Sequence, residues 1–222
     1  MQSHLERLGV AGDSERVRAF APADVESRVR GVMPGITWPE YGCLFSHIEA
    51  LRIASFERGP LVVVLEDDAR LPGALRLDAL AEHMPEDAEL LLLGSHQEGT
   101  YTGAISPAHA AAPTLATLWS QWSNYSCGSF AYAVAPAAAH RFVQTLGIDR
   151  ARPVREQMDR AFLRRFPFAH KADHLPMGAV RSYTALTPLA SAGGDFTSTI
   201  HADHDGMHES AAGLIGRMLS PH

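Results

Sequence analysis

The sequence predicts an α/β sandwich, and three observations carry that expectation. Residues 61–65 and 89–93 are short apolar runs that read as strands buried on both faces, as in a parallel sheet. Longer segments of helical spacing alternate with them. No internal repeat or linker interrupts the pattern, so residues 1–222 read as a single domain.

In chain order, Leu5 and Leu8 share one helix face over residues 1–8, and Gly9 can end that helix. Residues 16–20 alternate and read as a strand, and residues 21–35 as irregular. Thr37 and Glu40 form a capping box with Pro39 in the first turn, opening a helix that runs to about Arg58. A short helix is expected over 75–83. The connection 96–124 is long enough to hold a helix of its own, at 114–122. Residues 128–134 read as a strand, 136–146 and 154–166 as helices. A Gly- and Ser-rich tail follows from Thr184 and ends in a helix over 209–219.

The strand at 61–65 runs straight into Glu66, Asp67 and Asp68. Burying unpaired carboxylates is expensive, so the triplet belongs where the strand emerges, at its carboxyl end. In open α/β sheets that edge binds ligands. Three adjacent negative charges repel, and a hard divalent cation with oxygen ligands would relieve the repulsion and bridge to a phosphate. A solvated acidic turn is the plainer alternative.

Composition bounds the function. The 19 basic and 25 acidic side chains give a formal charge of −6, so no basic surface points to nucleic acid. Two cysteines, Cys43 and Cys127, suit a reducing compartment, although a single disulfide stays open. No apolar run reaches membrane-span length and the N-terminus lacks a signal-peptide core, which together predict a cytoplasmic protein.

Residues 42–47 (Gly-Cys-Leu-Phe-Ser-His), followed by the rest of that helix and by Val64-Leu65-Glu66-Asp67-Asp68, resemble the signature of glycosyltransferase family 25. This is the family of lipooligosaccharide galactosyltransferases, with collagen galactosyltransferases as relatives. Residues 128–134, 153–159, 188–189 and 198–200 echo later family segments in the same order. The resemblance implies a GT-A fold, a Rossmann-like sheet binding a nucleotide sugar. It further implies a UDP-hexose donor, usually UDP-galactose, with Mn2+ or Mg2+ held in the manner of a D-x-D motif. Two departures stand out. The family's opening strand and arginine-rich turn have no counterpart before Gly9, which predicts a vacant or exposed sheet edge that a second copy or another strand would cover. The family's acid soon after the proline is Arg155 here.

On a continuing strand Glu66 and Asp68 share one side and Asp67 takes the other, making Asp68 the first metal ligand and Glu66 the second. His201 or His204 is a late metal ligand by resemblance to GT-A enzymes, against a hydrophilic loop. Ser46, His47, Asp67 and Gly128 are the expected donor contacts, although Ser46 and His47 also suit simple packing. An inverting transfer needs a carboxylate base; Asp159 leads, with Glu156 and Asp195 behind it. Trp119, Trp122 and Tyr125 suit one helix face in the core, or else a wall that stacks on a sugar.

The expected activity is transfer of a hexose from a UDP-sugar to a glycan hydroxyl, in lipooligosaccharide or other surface glycan synthesis. Expected partners are the donor and a glycan or glycolipid acceptor, with peripheral membrane contact and a homodimer left open. The alternatives are a metal-dependent phosphoester hydrolase and an inactive GT-A remnant serving as a binding or assembly module.

Overall fold

Five strands form one mixed sheet in this computed structural model, which describes residues 2–7, 11–29, 37–71, 77–94, 119–121, 128–159, 174–185 and 189–192. The main strands are β1 (Val62–Leu65), β3 (Leu90–Leu92), β4 (Trp119–Gln121), β5 (Ala131–Val134) and β6 (Ser182–Ala185), in the order β1-β5-β3-β6-β4. Only β3 and β6 run parallel; the other three pairings are antiparallel. A two-stranded ribbon of β2 (Ala69–Arg70) and β7 (Ser191–Ala192) stands apart. The helices are α1 (Gln2–Arg7), α2 (Pro22–Val29), α3 (Trp38–Ala54), α4 (Leu77–His83), α5 (Pro136–Thr145), α6 (Val154–Gln157) and α7 (His174–Ala179). Among the described residues no helix is long and apolar enough to cross a membrane.

Strand alternation divides the core in two. Leu90, Leu92, Tyr132 and Val134 face one side and pack with Phe45, Ile48 and Leu51 of α3 and Phe142 and Val143 of α5. Leu91, Leu93, Ala131 and Ala133 face the other side and pack with Leu80 of α4, Leu71 and Phe130. Apolar side chains on both faces of a strand require cover on both faces. The α/β class therefore holds, with the sheet mixed rather than parallel.

The acid-bearing strand differs from its expectation. β1 is apolar on both faces, with Val62 and Val64 against one cluster and Val63 and Leu65 against the other. However, it lies at the edge of the described sheet, antiparallel to β5, and all four residues are only half-buried. An apolar run specifies what faces a strand must cover, not which neighbours it pairs with.

α3 begins as its sequence dictates. The Thr37 hydroxyl accepts from the Glu40 N–H, and the Glu40 carboxylate accepts from the Thr37 N–H at 2.6 Å. The helix stops at Ala54 rather than near Arg58, where Ser55 donates to the Arg52 carbonyl at 2.6 Å. Farther along, Glu49 accepts from the Val154 N–H and from Arg52, each at 2.9 Å, which fixes the start of α6 on α3. Arg150 lies over the exposed Phe56 ring and donates to Ser55.

Four local expectations are corrected. Residues 16–20 form no strand; only Phe20 is buried there, and no described strand pairs with the segment. Residues 22–29 are helical instead of irregular: Pro22 opens α2, and Asp24 accepts from the Ala21 N–H at 3.2 Å. Trp119–Gln121 pairs with β6 as a strand, so Trp119 does not lie on a helix. α6 ends at Gln157, with Met158 extended, instead of continuing to 166. In addition, β6, β7 and α7 form where no element was expected. Trp122, Tyr125, Cys127, Asp195, His201, His204 and the helix expected at 209–219 lie outside the described residues.

Gly42 illustrates how closely α3 meets the preceding segment. A Cβ there would sit 2.5 Å from the Phe20 carbonyl oxygen. One turn later Ser46 accepts from the Phe20 N–H at 3.0 Å and donates to the Gly42 carbonyl at 2.7 Å. Arg155 completes the grip, stacking over the Phe20 ring at 4.8 Å and pairing with Asp24 at 3.7 Å. Gly42→Ala is expected to destabilise the fold by about 1–3 kcal/mol, because backbone must move to admit the methyl. Urea unfolding with an unchanged m-value checks this, and an unchanged midpoint would refute it.

Candidate functional site

The site is built where α3, the end of β1 and the turn into β5 converge. Cys43 and His47 are four residues apart on α3 and therefore share a face. That face meets Tyr132, which β5 places opposite Val64 of β1. His47 is 4% exposed and bonded through both ring nitrogens. Nδ1 lies 3.1 Å from the Tyr132 hydroxyl, and Nε2 lies 3.1 Å from Glu66 Oε1. Ser129 donates its hydroxyl to the same Glu66 oxygen at 2.6 Å. Ser129 reaches that oxygen from a tight turn that opens at Gly128, whose φ of 126° is a conformation glycine tolerates and other residues rarely adopt.

Charge follows from this packing. Burial by itself would discharge the His47 ring, but Tyr132, Cys43 and Glu66 together outweigh it and hold its pKa well above the usual histidine value. Burial likewise raises the Tyr132 phenol, against the lowering pull of His47. His47 Nε2 thus lies against a half-buried carboxylate at 3.1 Å.

The acidic triplet does not continue the strand. Glu66 keeps the ladder going by one bond, donating its N–H to the Phe130 carbonyl at 2.8 Å. The chain then turns, with the Ala69 N–H bonded to the Glu66 carbonyl at 3.2 Å. The alternation expected for residues 66–68 is thus replaced by turn geometry. Glu66 is directed at His47 and Ser129, Asp67 is exposed, and Asp68 is half-buried. Asp68 Oδ1 is fully enclosed and has no hydrogen-bond partner among the described residues. Burial first, and then the neighbouring Glu66 and Asp67 charges, push its pKa up to about 6. A desolvated carboxylate oxygen without a donor is a costly arrangement that a cation would relieve.

The remaining expected residues fall into place unevenly. Ser46 is engaged with the chain's own backbone at Phe20 and Gly42. Glu156 is exposed and pairs at 3.5 Å with Arg152, four residues earlier and ahead of α6. Asp159 is exposed, two residues beyond α6. Arg155, standing where the resemblance places an acid, is a tether for Phe20 and Asp24. Sequence reasoning overlooked Cys43, Ser129 and Tyr132 as members of the site. The i, i+4 spacing of Cys43 and His47 was the one available signal; Tyr132 is joined by strand pairing and Ser129 by the glycine-led turn before it.

Comparison with family models, with curated proteins and with solved structures finds no match for this chain.

The raised Asp68 pKa has a definite sign. Between its ordinary value of 3.8 and about 6, the folded chain binds the proton more tightly than the unfolded chain. The contribution of Asp68 to stability is therefore full below 3.8 and is lost as pH rises through about 6. Asp68→Asn should remove this slope, so its melting temperature should gain on the wild type as pH rises. A cation held by Asp68 at 100 times its Kd should restore about 2.7 kcal/mol to the wild type at neutral pH and little to the variant. Thermal melts with manganese and with chelator test this, and equal shifts in both proteins would remove Asp68 from the site.

Proposed function

We propose that this chain is a metal-dependent glycosyltransferase with a GT-A arrangement. In this reading it transfers a hexose, galactose first, from a UDP-sugar to a glycan hydroxyl in surface-glycan synthesis in the cytoplasm. The observation that carries the reading is Asp68, whose enclosed Oδ1, without a hydrogen-bond partner among the described residues, lies in an acidic turn at the carboxyl end of a strand. Ligands bind at that edge of α/β sheets, and the fit to a hard cation is chemical: oxygen donors, concentrated negative charge and an enclosed carboxylate oxygen that no described donor satisfies. A mixed sheet with helices over both faces is compatible with the α/β class to which the fold implied by the resemblance belongs.

Asp68 would hold Mn2+ or Mg2+, with Glu66 and Asp67 deepening the negative field, and His201 is retained as the late ligand. Such a cation supplies the positive charge that a departing nucleoside diphosphate needs. His47 is too buried to meet a donor sugar and instead orients Glu66. Gly128 supplies the positive φ at which the turn bearing Ser129 opens, and Ser46 fixes the helix that carries His47. Asp159 is the proposed base, taking the proton of the acceptor hydroxyl as that oxygen attacks the anomeric carbon from the face opposite the leaving group. Asp159 is exposed and belongs to the segment that carries the resemblance, and Glu156 pairs with Arg152.

The test is transfer from a panel of UDP-hexoses to glycan and glycolipid acceptors with manganese present. Asp68→Ala should abolish metal-dependent UDP binding in calorimetry. Asp159→Asn should lower kcat by about 10²–10⁴-fold while leaving UDP binding intact, the loss typical of a missing general base. UDP binding that is equal in chelator and in manganese would refute the metal assignment. Metal-dependent UDP binding without turnover on any acceptor would favour an inactive binding module.

A further inference from the structure

Cys43, His47 and Glu66 each bring one ligand atom within 4.8 Å of the other two. A thiol, an imidazole and a carboxylate are the donor types of a zinc site, whereas a manganese or magnesium site is built from oxygens. We propose that these three side chains form a zinc-binding site distinct from the hard-cation site at Asp68. The inference does not depend on the glycosyltransferase reading.

Three features of the geometry support it. First, His47 Nε2 and Glu66 Oε1 are already 3.1 Å apart. Two ligands at the usual zinc distances of about 2.0–2.1 Å and a tetrahedral angle stand about 3.3 Å apart, so the ion can replace the shared proton with little movement. Second, the groups that orient zinc ligands are in place. The other ring nitrogen of His47 is bonded to the Tyr132 hydroxyl, and the Glu66 carboxylate is held by Ser129. A ligating histidine characteristically donates its second ring N–H to such a partner. Third, two of the ligands are four residues apart on one helix, and the third comes from a strand end fixed by the sheet. The site therefore closes only in the folded chain. The Glu66 side chain is 33% exposed, which leaves a way in for the ion and a fourth position for water.

Binding releases protons. The Cys43 thiol loses its proton to become a thiolate, and the proton between His47 Nε2 and Glu66 leaves so that both atoms can donate electron pairs to the ion. No oxidant or reductant is involved.

Cobalt is the probe, because a cobalt–thiolate bond adds a charge-transfer absorption that oxygen and nitrogen ligands do not produce. Titrating the reduced full chain with Co2+ should give this band, with about one ion per chain, and Zn2+ should displace it. Cys43→Ser should abolish the band while circular dichroism shows an intact fold. Cys127→Ser should retain it. Tyr132→Phe keeps all three ligands and should weaken zinc binding by about 10-fold or more, as loss of an orienting partner does. Absence of a thiolate band in the wild type, its survival in Cys43→Ser, or its loss in Cys127→Ser would overturn the proposal.

Discussion

A buried imidazole must be hydrogen-bonded at both nitrogens, or its desolvation outweighs whatever its packing contributes. At His47 both bonds are long-range in sequence. One reaches Glu66, 19 residues away at the end of β1, and the other reaches Tyr132, 85 residues away on β5. The ring thereby joins the central helix to two antiparallel strands at the point where the chain leaves the sheet. Glu66 is fixed in turn by Ser129 as well, so the acidic turn inherits its position from a bonded network. Partly satisfied networks of this kind are costly, which is why each member constrains the next.

α3 serves two neighbours with two i, i+4 pairs. Gly42 and Ser46 accept the Phe20 backbone, one by having no side chain and the other by bonding its N–H. Cys43 and His47, one residue further round, turn toward the sheet and the acidic turn. A single six-residue stretch thus positions the incoming segment and the site together. Arg155 reinforces the first contact from α6, which accounts for a cation at a place where the resemblance would put an acid.

Within the triplet the three carboxylates have separate surroundings. Glu66 is paired, Asp67 meets solvent, and Asp68 is enclosed with no donor among the described residues at one oxygen. Identical chemistry in sequence becomes three different electrostatic situations because the chain turns at residue 66. Had the strand continued, two of the acids would have shared one environment. The turn also keeps Asp68 apart from the sulfur, nitrogen and oxygen set of Cys43, His47 and Glu66.

The sequence by itself determined the elements whose signals are local. The capping box at Thr37, the helix opened by Pro136 and the apolar runs at β1, β3 and β5 depend on neighbours within a few residues, and all appear. It also marked residues 66–68 as lying at a strand end, because unpaired carboxylates are excluded from a core. That β1 pairs antiparallel with β5 and lies at the edge of the described sheet came from the tertiary structure alone, since a strand's faces are written in its residues and its partners are not. The short strands β4, β6 and β7 went unread for the same reason: they are held by pairing with distant strands. Part of the site followed this rule too. His47 and Glu66 were visible beside a recognisable helix and strand, whereas Tyr132 and Ser129 join them through register across the sheet and a glycine-led turn. The direction of each acid was likewise decided by one backbone hydrogen bond, from Ala69 to Glu66, whose formation depends on where β2 can pair.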